Sequence, residues 1–247
     1  PINGKTVAGP MLDTNFKSFV GIAELPIQHG MTVGELAQFF NRTEILETEK
    51  SAELIIIKMQ NCKREFYYDD CNLKWIKPSP NMPDLKTAIA YPGLCLIEGT
   101  NISEGRGTYS PFLIIGSPFI DSQDVISEMK NYNLDGVTIS DTSFTPISIP
   151  NMSTSPKYLD ENCNGISINI TDRNLFKPID FTVNLIYTFH KLYPQKFTFR
   201  ESSIDRLWGS DNFRKDILAD KTPKEIIESY QKDLENFKQV RKDFLLY

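Results

Sequence analysis

Hydrophobic positions along the chain alternate between helical and strand spacing, which is typical of a mixed α/β protein. The segment MTVGELAQFFN predicts a helix, because Thr32 as N-cap and Glu35 three residues later form a capping box before an apolar stripe. The continuous apolar run at 54–59 predicts a strand buried on both faces, as in a parallel sheet covered by helices. DLKTAIAY predicts a short helix, and YPGLCLIEGT predicts a turn, a buried strand and a loop.

The second half of the chain adds further elements of both kinds. FLIIG predicts a strand, 121–132 a helix, GVTISDTSFTP and NGISINITD two strands, and PIDFTVNLIYTFHKLYP an apolar helix. One last helix begins at Thr222, with Pro223 in its first turn and Glu225 completing a capping box. A glycine-rich polar break ends near 108–111. We therefore expect two domains, at residues 1–109 and 110–247.

Composition and charge exclude several classes of protein. The 247 residues carry a net charge of −5 and no cluster of Lys and Arg, so a nucleic-acid-binding protein is not expected and anionic membranes are disfavoured. No apolar run approaches the roughly 20 residues that a membrane helix needs. The chain begins at Pro1 within a loop-like segment, which indicates a mature product or a fragment.

Cysteine and histidine spacing gives little support for a metal site. The four cysteines form no C-x-x-C pair, and only two histidines are present, so neither a metal nor a cofactor is expected. Cys62 and Cys71 flank an aromatic run, and two interpretations stay open: a disulfide across a hairpin, or reduced thiols. Cys95 with His29 is a weaker alternative, as a nucleophile pair.

The segment EGTNISEGRGT, at 98–108, concentrates the chemistry-bearing side chains of the sequence. Its two carboxylates, Glu98 and Glu104, match what glycoside hydrolysis usually needs, at a separation of about 5–5.5 Å for retention or about 6.5–9.5 Å for inversion. The alternative is that Glu104 and Arg106 form a structural ion pair that holds the loop. Asn81 and Tyr91, together with Trp75, are of the types that bind sugars. Phosphate-binding fingerprints are absent, which disfavours a nucleotide enzyme.

A family resemblance is carried by long strings in one order: LDTNFKSFVGIAELPIQHGMTVGELAQFFN, WIKPSPNMP, YPGLCLIEGTNISEGRGT, CNGISINITDR and IDRLWGS. Across nearly the whole chain they resemble the bacterial exo-β-N-acetylmuramidase family of the NamZ or YbbC type. The resemblance implies an α/β protein: a Rossmann-like catalytic domain, of which residues 1–109 are the C-terminal half, followed by a smaller α+β domain. It also implies release of N-acetylmuramic acid from the non-reducing ends of peptidoglycan fragments.

The same resemblance implies roles for individual residues. Glu98 and Glu104 match the two glutamates of the family motif and are the expected catalytic residues. The expected substrate-binding residues are His29, Asn81, Tyr91, Thr100, Asn101 and Arg106. Gln28 stands where the family has Arg before its histidine. Family members also carry, upstream of the position of Asn3, about half of the Rossmann-like domain with a P-E-H-G motif whose glutamate is a catalytic candidate, and this chain lacks that part.

Two functional hypotheses follow from these observations. The first is a glycosidase whose partners are muramyl sugars of peptidoglycan and the N-terminal half of its own domain. A periplasmic or secreted location is expected from the family. The second is a non-catalytic carbohydrate-binding remnant of that family.

Overall fold

The structure, a computed structural model, describes residues 2–42 and 50–247. Its helices are α1 (Val33–Phe40), α2 (Leu85–Leu94), α3 (Ser122–Met129), α4 (Pro178–Leu192), α5 (Glu201–Trp208), α6 (Asn212–Leu218), α7 (Pro223–Ser229) and α8 (Gln231–Arg241). Its strands are β1 (Ala8–Met11), β2 (Pro26–Gln28), β3 (Ile114–Ser117), β4 (Val137–Phe144) and β5 (Cys163–Ile170). Short 3-10 turns lie at Thr14–Phe16, Asp69–Cys71, Cys95–Gly99 and Lys242–Phe244.

The chain divides into two compact units. The first combines Pro1–Trp75 with Glu228–Tyr247, and the second is Ile76–Ile227. The boundary expected after residue 109 falls inside the second unit, and as a statement about folding domains it stays a prediction. The EGTNISEGRGT segment therefore lies in the same compact unit as β3, β4 and β5.

The first unit is built around a small aromatic core. β1 and β2 pair antiparallel, and α1 has the predicted capping box, in which the Thr32 side chain accepts from the Glu35 backbone N–H and the Glu35 side chain accepts from Thr32. Phe39 of α1 packs edge-on against Phe244, with ring centroids 5.1 Å apart. Met31 and Phe237 of α8 complete this buried cluster. The two ends of the chain thus share one core.

The prediction of a buried strand at 54–59 is wrong for this structure. The segment has no strand pairing, and Ile55 and Ile57 are 83% and 91% exposed. A β-rich apolar run forms a strand only when a neighbouring strand accepts its hydrogen bonds. Among the residues that the structure describes, no strand lies beside this segment.

The second unit contains an antiparallel sheet in the order β3, β5, β4. Every strand predicted there is confirmed, and β4 and β5 pair in register over eight residues each, from Val137 opposite Ile170 to Phe144 opposite Cys163. The helices predicted at α3 and α4 are also confirmed, and Asp121 caps α3 by accepting from two backbone N–H groups. The mixed α/β class is therefore confirmed, while the described strands pair only antiparallel.

The strand predicted within YPGLCLIEGT is also wrong. α2 continues through Pro92, and the 3-10 turn Cys95–Gly99 follows it directly. Leu94, Leu96 and Ile97 are fully buried, so the segment is apolar on all sides. Periodicity alone does not distinguish a buried helix from a buried strand in such a run. The loop that carries the two glutamates consequently begins at the end of a helical turn.

The single helix predicted from Thr222 onwards is interrupted. Its capping box is present, with the Glu225 backbone N–H donating to the Thr222 hydroxyl and the Thr222 N–H donating to the Glu225 carboxylate. The helical residues then form α7 and α8, which are separated at Tyr230. The local start signal was correct, and the length was overestimated.

Candidate active site

Two glycines give the EGTNISEGRGT loop its shape. Gly105 and Gly107 have φ values of +78° and +80°, in the left-handed region that side chains rarely adopt. A Cβ atom on Gly105 would lie 2.6 Å from the Ile114 carbonyl oxygen, and one on Gly107 would lie 2.6 Å from Cγ of Pro156. The loop therefore packs directly on backbone and proline atoms at these two points.

Glu98 and Arg106 form the partly exposed centre of the loop. Oε1 of Glu98 accepts from Nε and Nη2 of Arg106, at 2.9 and 2.5 Å, and the two side chains are 25% and 31% exposed. The guanidinium lies over the ring of Phe112, 5.1 Å from its centroid. Phe112 is fully buried and has a φ of +64°, an unusual conformation for a bulky residue. Its strained backbone places the ring beneath the Arg106 side chain.

Glu104 lies deeper than Glu98 and also contacts Arg106. Its Oε1 is 3.4 Å from Nε of Arg106, and its side chain is only 5% exposed. One guanidinium thus contacts both carboxylates. The structural ion pair considered from the sequence is present in the structure, and it includes both glutamates rather than Glu104 alone.

Lys157 is a member of this cluster that sequence reasoning missed. Its ammonium lies 3.0 Å from Oε2 of Glu104 and donates to the carbonyl oxygens of Ile97 and Ile102, at 3.0 and 2.8 Å. Burial lowers the pKa of Lys157, and the Glu104 carboxylate partly opposes that shift. A lone lysine in the stretch STSPKYLD gives no local signal, so only the folded chain identifies it.

Asn101 and Thr100 fasten the loop rather than face open solvent. The Asn101 amide donates to the Lys196 carbonyl at 2.8 Å, and its oxygen accepts from the Thr198 N–H at 3.0 Å. The Thr100 hydroxyl is fully buried and donates to the carbonyl oxygen of Ile97 at 2.9 Å. Both side chains are used within the protein, and the sugar contacts expected for them stay predictions.

Tyr91 and Asn81 are the remaining predicted binding residues of the second unit. The Tyr91 ring meets Phe112 edge-on at 4.9 Å. Burial raises the pKa of Tyr91 to about 12, and the charge of Glu98 adds to the shift. Tyr91 therefore belongs to the neighbourhood of Glu98 and Arg106. Asn81 is buried and donates to the Met152 carbonyl at 2.7 Å, so it fixes a neighbouring loop.

His29 belongs to the first unit, whereas the other predicted site residues belong to the second. Its Nδ1 accepts from the Met31 N–H at 3.1 Å, and its carbonyl accepts from Arg241 at 3.1 Å. Burial lowers the pKa of His29 to about 4, and the positive charge of Arg241 adds to that effect. At neutral pH His29 is therefore an uncharged hydrogen-bonding group.

Cysteine and metal chemistry find little support. All four cysteines are free thiols, so no bridge joins Cys62 and Cys71 in this structure. Burial raises the pKa of Cys95 to about 12, which keeps it in the thiol form and makes it a poor nucleophile. Across 2–42 and 50–247, no three His, Cys, Asp or Glu side chains come together as metal ligands. No helix in those same ranges is long and apolar enough to cross a bilayer.

The accessible groups define what the cluster can do. Glu98 and Arg106 reach solvent, while Glu104 and Lys157 lie behind them and balance their charges. An oriented carboxylate beside a guanidinium can exchange a proton with a leaving group or stabilise positive charge on a sugar ring. The arrangement fits acid–base chemistry on a small polar substrate.

Family comparisons agree with the resemblance that these motifs carry. Residues 1–86 match the model of the exo-β-N-acetylmuramidase NamZ N-terminal domain, and residues 89–247 match the model of its C-terminal domain. The chain belongs to this family. Both glutamates of the loop, with Arg106, lie in the part that matches the C-terminal model.

Known relatives are longer than this chain. It is 40% identical over 248 residues to the peptidoglycan β-N-acetylmuramidase NamZ of Bacillus subtilis, covering 100% of this chain and 57% of that protein. A crystal structure of a DUF1343 family protein from Bacteroides fragilis superimposes with a TM-score of 0.76 at 34% identity, covering 99% of this chain and 63% of the other.

A second crystal structure of a DUF1343 family protein from Bacteroides fragilis shares the fold. Its TM-score is 0.90 at 23% identity, covering 100% of this chain and 64% of the other. The chain thus spans between 57% and 64% of the length of these three relatives.

Proposed function

We propose that this protein acts as a glycoside hydrolase of the exo-β-N-acetylmuramidase type. Its substrates would be muramyl sugars at the non-reducing ends of peptidoglycan fragments. Family membership supports the reaction class. The observation that carries the proposal is the partly exposed Glu98 carboxylate, which Arg106 holds by two hydrogen bonds to one oxygen.

The different burial of the two glutamates suggests different roles. Glu98 reaches solvent, so we assign it the contact with the glycosidic bond. Glu104 is 5% exposed and contacts Arg106 and Lys157, so we assign it the positioning of Arg106. The second carboxylate of the reaction would then come from the upstream P-E-H-G segment that the resemblance implies. Glycosidases of this kind need two such groups.

Arg106 is also suited to the acidic substituent of the sugar. N-acetylmuramic acid carries a lactyl carboxylate, and a guanidinium binds carboxylates with a directed pair of donors. Arg106 is 31% exposed, which leaves part of its donor edge open to solvent. Tyr91 beside Phe112 would supply the ring face for an apolar sugar contact.

The test uses the intact native protein and a chromogenic N-acetylmuramide. Glu98→Gln should lower kcat by about 100-fold or more, because it removes the proton-exchanging group. Glu161→Gln is the matched control, since Glu161 is an exposed carboxylate elsewhere in the second unit, and it should turn over like wild type. Wild-type turnover by both Glu98→Gln and Glu104→Gln would refute the proposal.

A second candidate function is carbohydrate binding without hydrolysis. It is favoured by the observation that both carboxylates of the loop are already ion-paired with Arg106. In that case calorimetry should show saturable binding of muramyl fragments, while chromatography after prolonged incubation should show the fragments unchanged. Release of free N-acetylmuramic acid by the native protein would rule this candidate out.

The Rossmann-like arrangement and the cellular location are parts of the same proposal. The apolar segment 54–59 would be a buried strand of such a sheet if strands paired on both its sides. An experimental structure of the intact native protein would test this directly. A peptidoglycan substrate would place the protein in the periplasm or outside the cell, which fractionation of the native cells would test.

A further inference from the structure

A small cleft in the second unit lies apart from the residues assigned to the reaction. It has a volume of about 130 Å³ and is lined by residues of α4, of the turn before β4 and of the segment before α4. None of its lining residues belongs to the EGTNISEGRGT loop. Its contents therefore need an explanation independent of Glu98 and Arg106.

Asn184 of α4 is the residue that marks this cleft as a binding site. The residue is 7% exposed and lines the cleft. Among the described residues, no group forms a hydrogen bond with its side-chain amide, although buried amides are nearly always hydrogen-bonded. An amide in this position can serve both as donor and as acceptor for a ligand.

The wall beside Asn184 is apolar. Phe176 and Phe181 are 6% and 3% exposed and meet edge-on with ring centroids 5.7 Å apart. Val137, at the start of β4, is buried next to them in the cleft lining. Such a surface offers contact to the C–H face of a ring.

The rim is polar and carries both signs of charge. Asp135 and Asp180 provide carboxylates, and Lys177 provides an ammonium. Asn133 donates to the Asp135 carboxylate at 2.9 Å, and its own oxygen accepts from the Asp135 N–H at 2.8 Å, so this side of the rim is fixed. Two carboxylates against one cation disfavour a phosphate or another anion.

We propose that this cleft binds one pyranose ring of a glycan, with Asn184 bonded to a hydroxyl or acetamido group and the phenylalanine wall against the C–H face. A pyranose combines a hydroxyl edge with an apolar face, as the lining does. The inference rests on the proposed function for its choice of glycan, the N-acetylated amino sugars of peptidoglycan. It gives the protein a second sugar contact, away from Glu98.

The experiment is a titration of the protein with N-acetylglucosamine and its β-1,4-linked disaccharide, followed by NMR. These sugars lack the lactyl carboxylate, so they report on this cleft rather than on Arg106. We expect saturable shifts of the Asn184 side-chain signals. Asn184→Leu removes the amide at similar volume and should weaken binding by about tenfold, the usual cost of a lost buried hydrogen bond.

Two further variants make the test independent of folding. Asp135→Ala, at an exposed rim position, should weaken binding several-fold if Asn184→Leu fails to fold. Gln123→Ala removes an exposed amide from α3 and should bind like wild type. Equal affinity in Asn184→Leu, Asp135→Ala and Gln123→Ala would overturn the proposal, as would shifts confined to 98–108 or binding of inorganic phosphate in place of the sugars.

Failure of this inference is distinguishable from failure of the proposed function. Turnover of a chromogenic N-acetylmuramide by Asn184→Leu should stay near that of wild type, because the residue does not contact the reacting groups. If the wild-type protein binds the sugars but hydrolyses nothing, the proposed hydrolysis fails and the cleft stands. If it hydrolyses the muramide but the cleft gives no shifts, the cleft proposal fails alone.

Discussion

Lys157 and Glu104 form an ion pair of 3.0 Å between Nζ and Oε2, with side chains that are 18% and 5% exposed. The same ammonium donates to the carbonyl oxygens of Ile97 and Ile102 on either side of Glu98. Arg106 contacts Glu104 from the other side. The position of the accessible Glu98–Arg106 pair therefore depends on a lysine far away in the sequence.

Replacing Lys157 by Met should destabilise the protein by about 3 kcal/mol, because it leaves the Glu104 carboxylate buried without its ammonium partner. The free energy of unfolding in urea measures this effect. Lys196→Met, at an exposed site, should change it by less than about 0.5 kcal/mol. The double variant Lys157→Met with Glu104→Gln should recover part of the loss, and equal stabilities of all variants would contradict the assignment.

The two positive-φ glycines of the loop give a prediction about backbone shape. Gly105→Ala and Gly107→Ala should each destabilise by about 2 kcal/mol or more, since the new Cβ needs a left-handed backbone and meets atoms at 2.6 Å. Gly21→Ala is the matched control, because its Cβ would lie 3.4 Å from the nearest side-chain atom. Thermal unfolding of the three variants should separate the loop glycines clearly from Gly21, and similar melting temperatures would be evidence against the tight packing.

His29 should make the protein sensitive to mild acid. Its pKa is about 4 in the fold against 6.5 for the model group, so the unfolded chain binds more protons between these pH values. Stability should therefore fall as the pH drops from about 6.5 to about 4, by about 3 kcal/mol from this residue.

Unfolding free energies of wild type and His29→Asn across that pH range test this prediction. Asn keeps an acceptor for the Met31 N–H but does not titrate, so the variant should show a flatter pH dependence. His190→Asn removes the only other histidine and serves as control. A wild-type slope in His29→Asn would show that other groups cause the acid sensitivity.

Arg106 is expected to act through the geometry of its guanidinium and not through charge alone. Arg106→Lys keeps the charge but loses the two donors that hold Oε1 of Glu98, so kcat on a chromogenic N-acetylmuramide should fall by about 10- to 100-fold. Arg206→Lys, on the exposed side of α5, should retain wild-type kcat. Full activity of Arg106→Lys would mean that positive charge is sufficient.

Much of the local structure could be predicted because its causes are local. The capping boxes at Thr32 and Thr222 connect residues three apart, and both form as predicted. The alternating strands β4 and β5 and the aspartate cap of α3 follow for the same reason. The motif at 98–108 marked the ion-paired cluster correctly, since Glu98, Glu104 and Arg106 lie together.

What failed depended on partners distant in the chain. The run at 54–59 has the composition of a buried strand, but strand formation requires a neighbour, and the described chain places none beside it. Asn101 and Thr100 looked free to bind sugar until the fold occupied their side chains with backbone groups. By itself, the sequence determined the family, the mixed α/β class and the local caps and turns, because short-range bonding and motif order specify them. Only the tertiary structure decided that Lys157 joins the site and that Glu98, not Glu104, reaches solvent, because burial and charge pairing arise from contacts between distant segments.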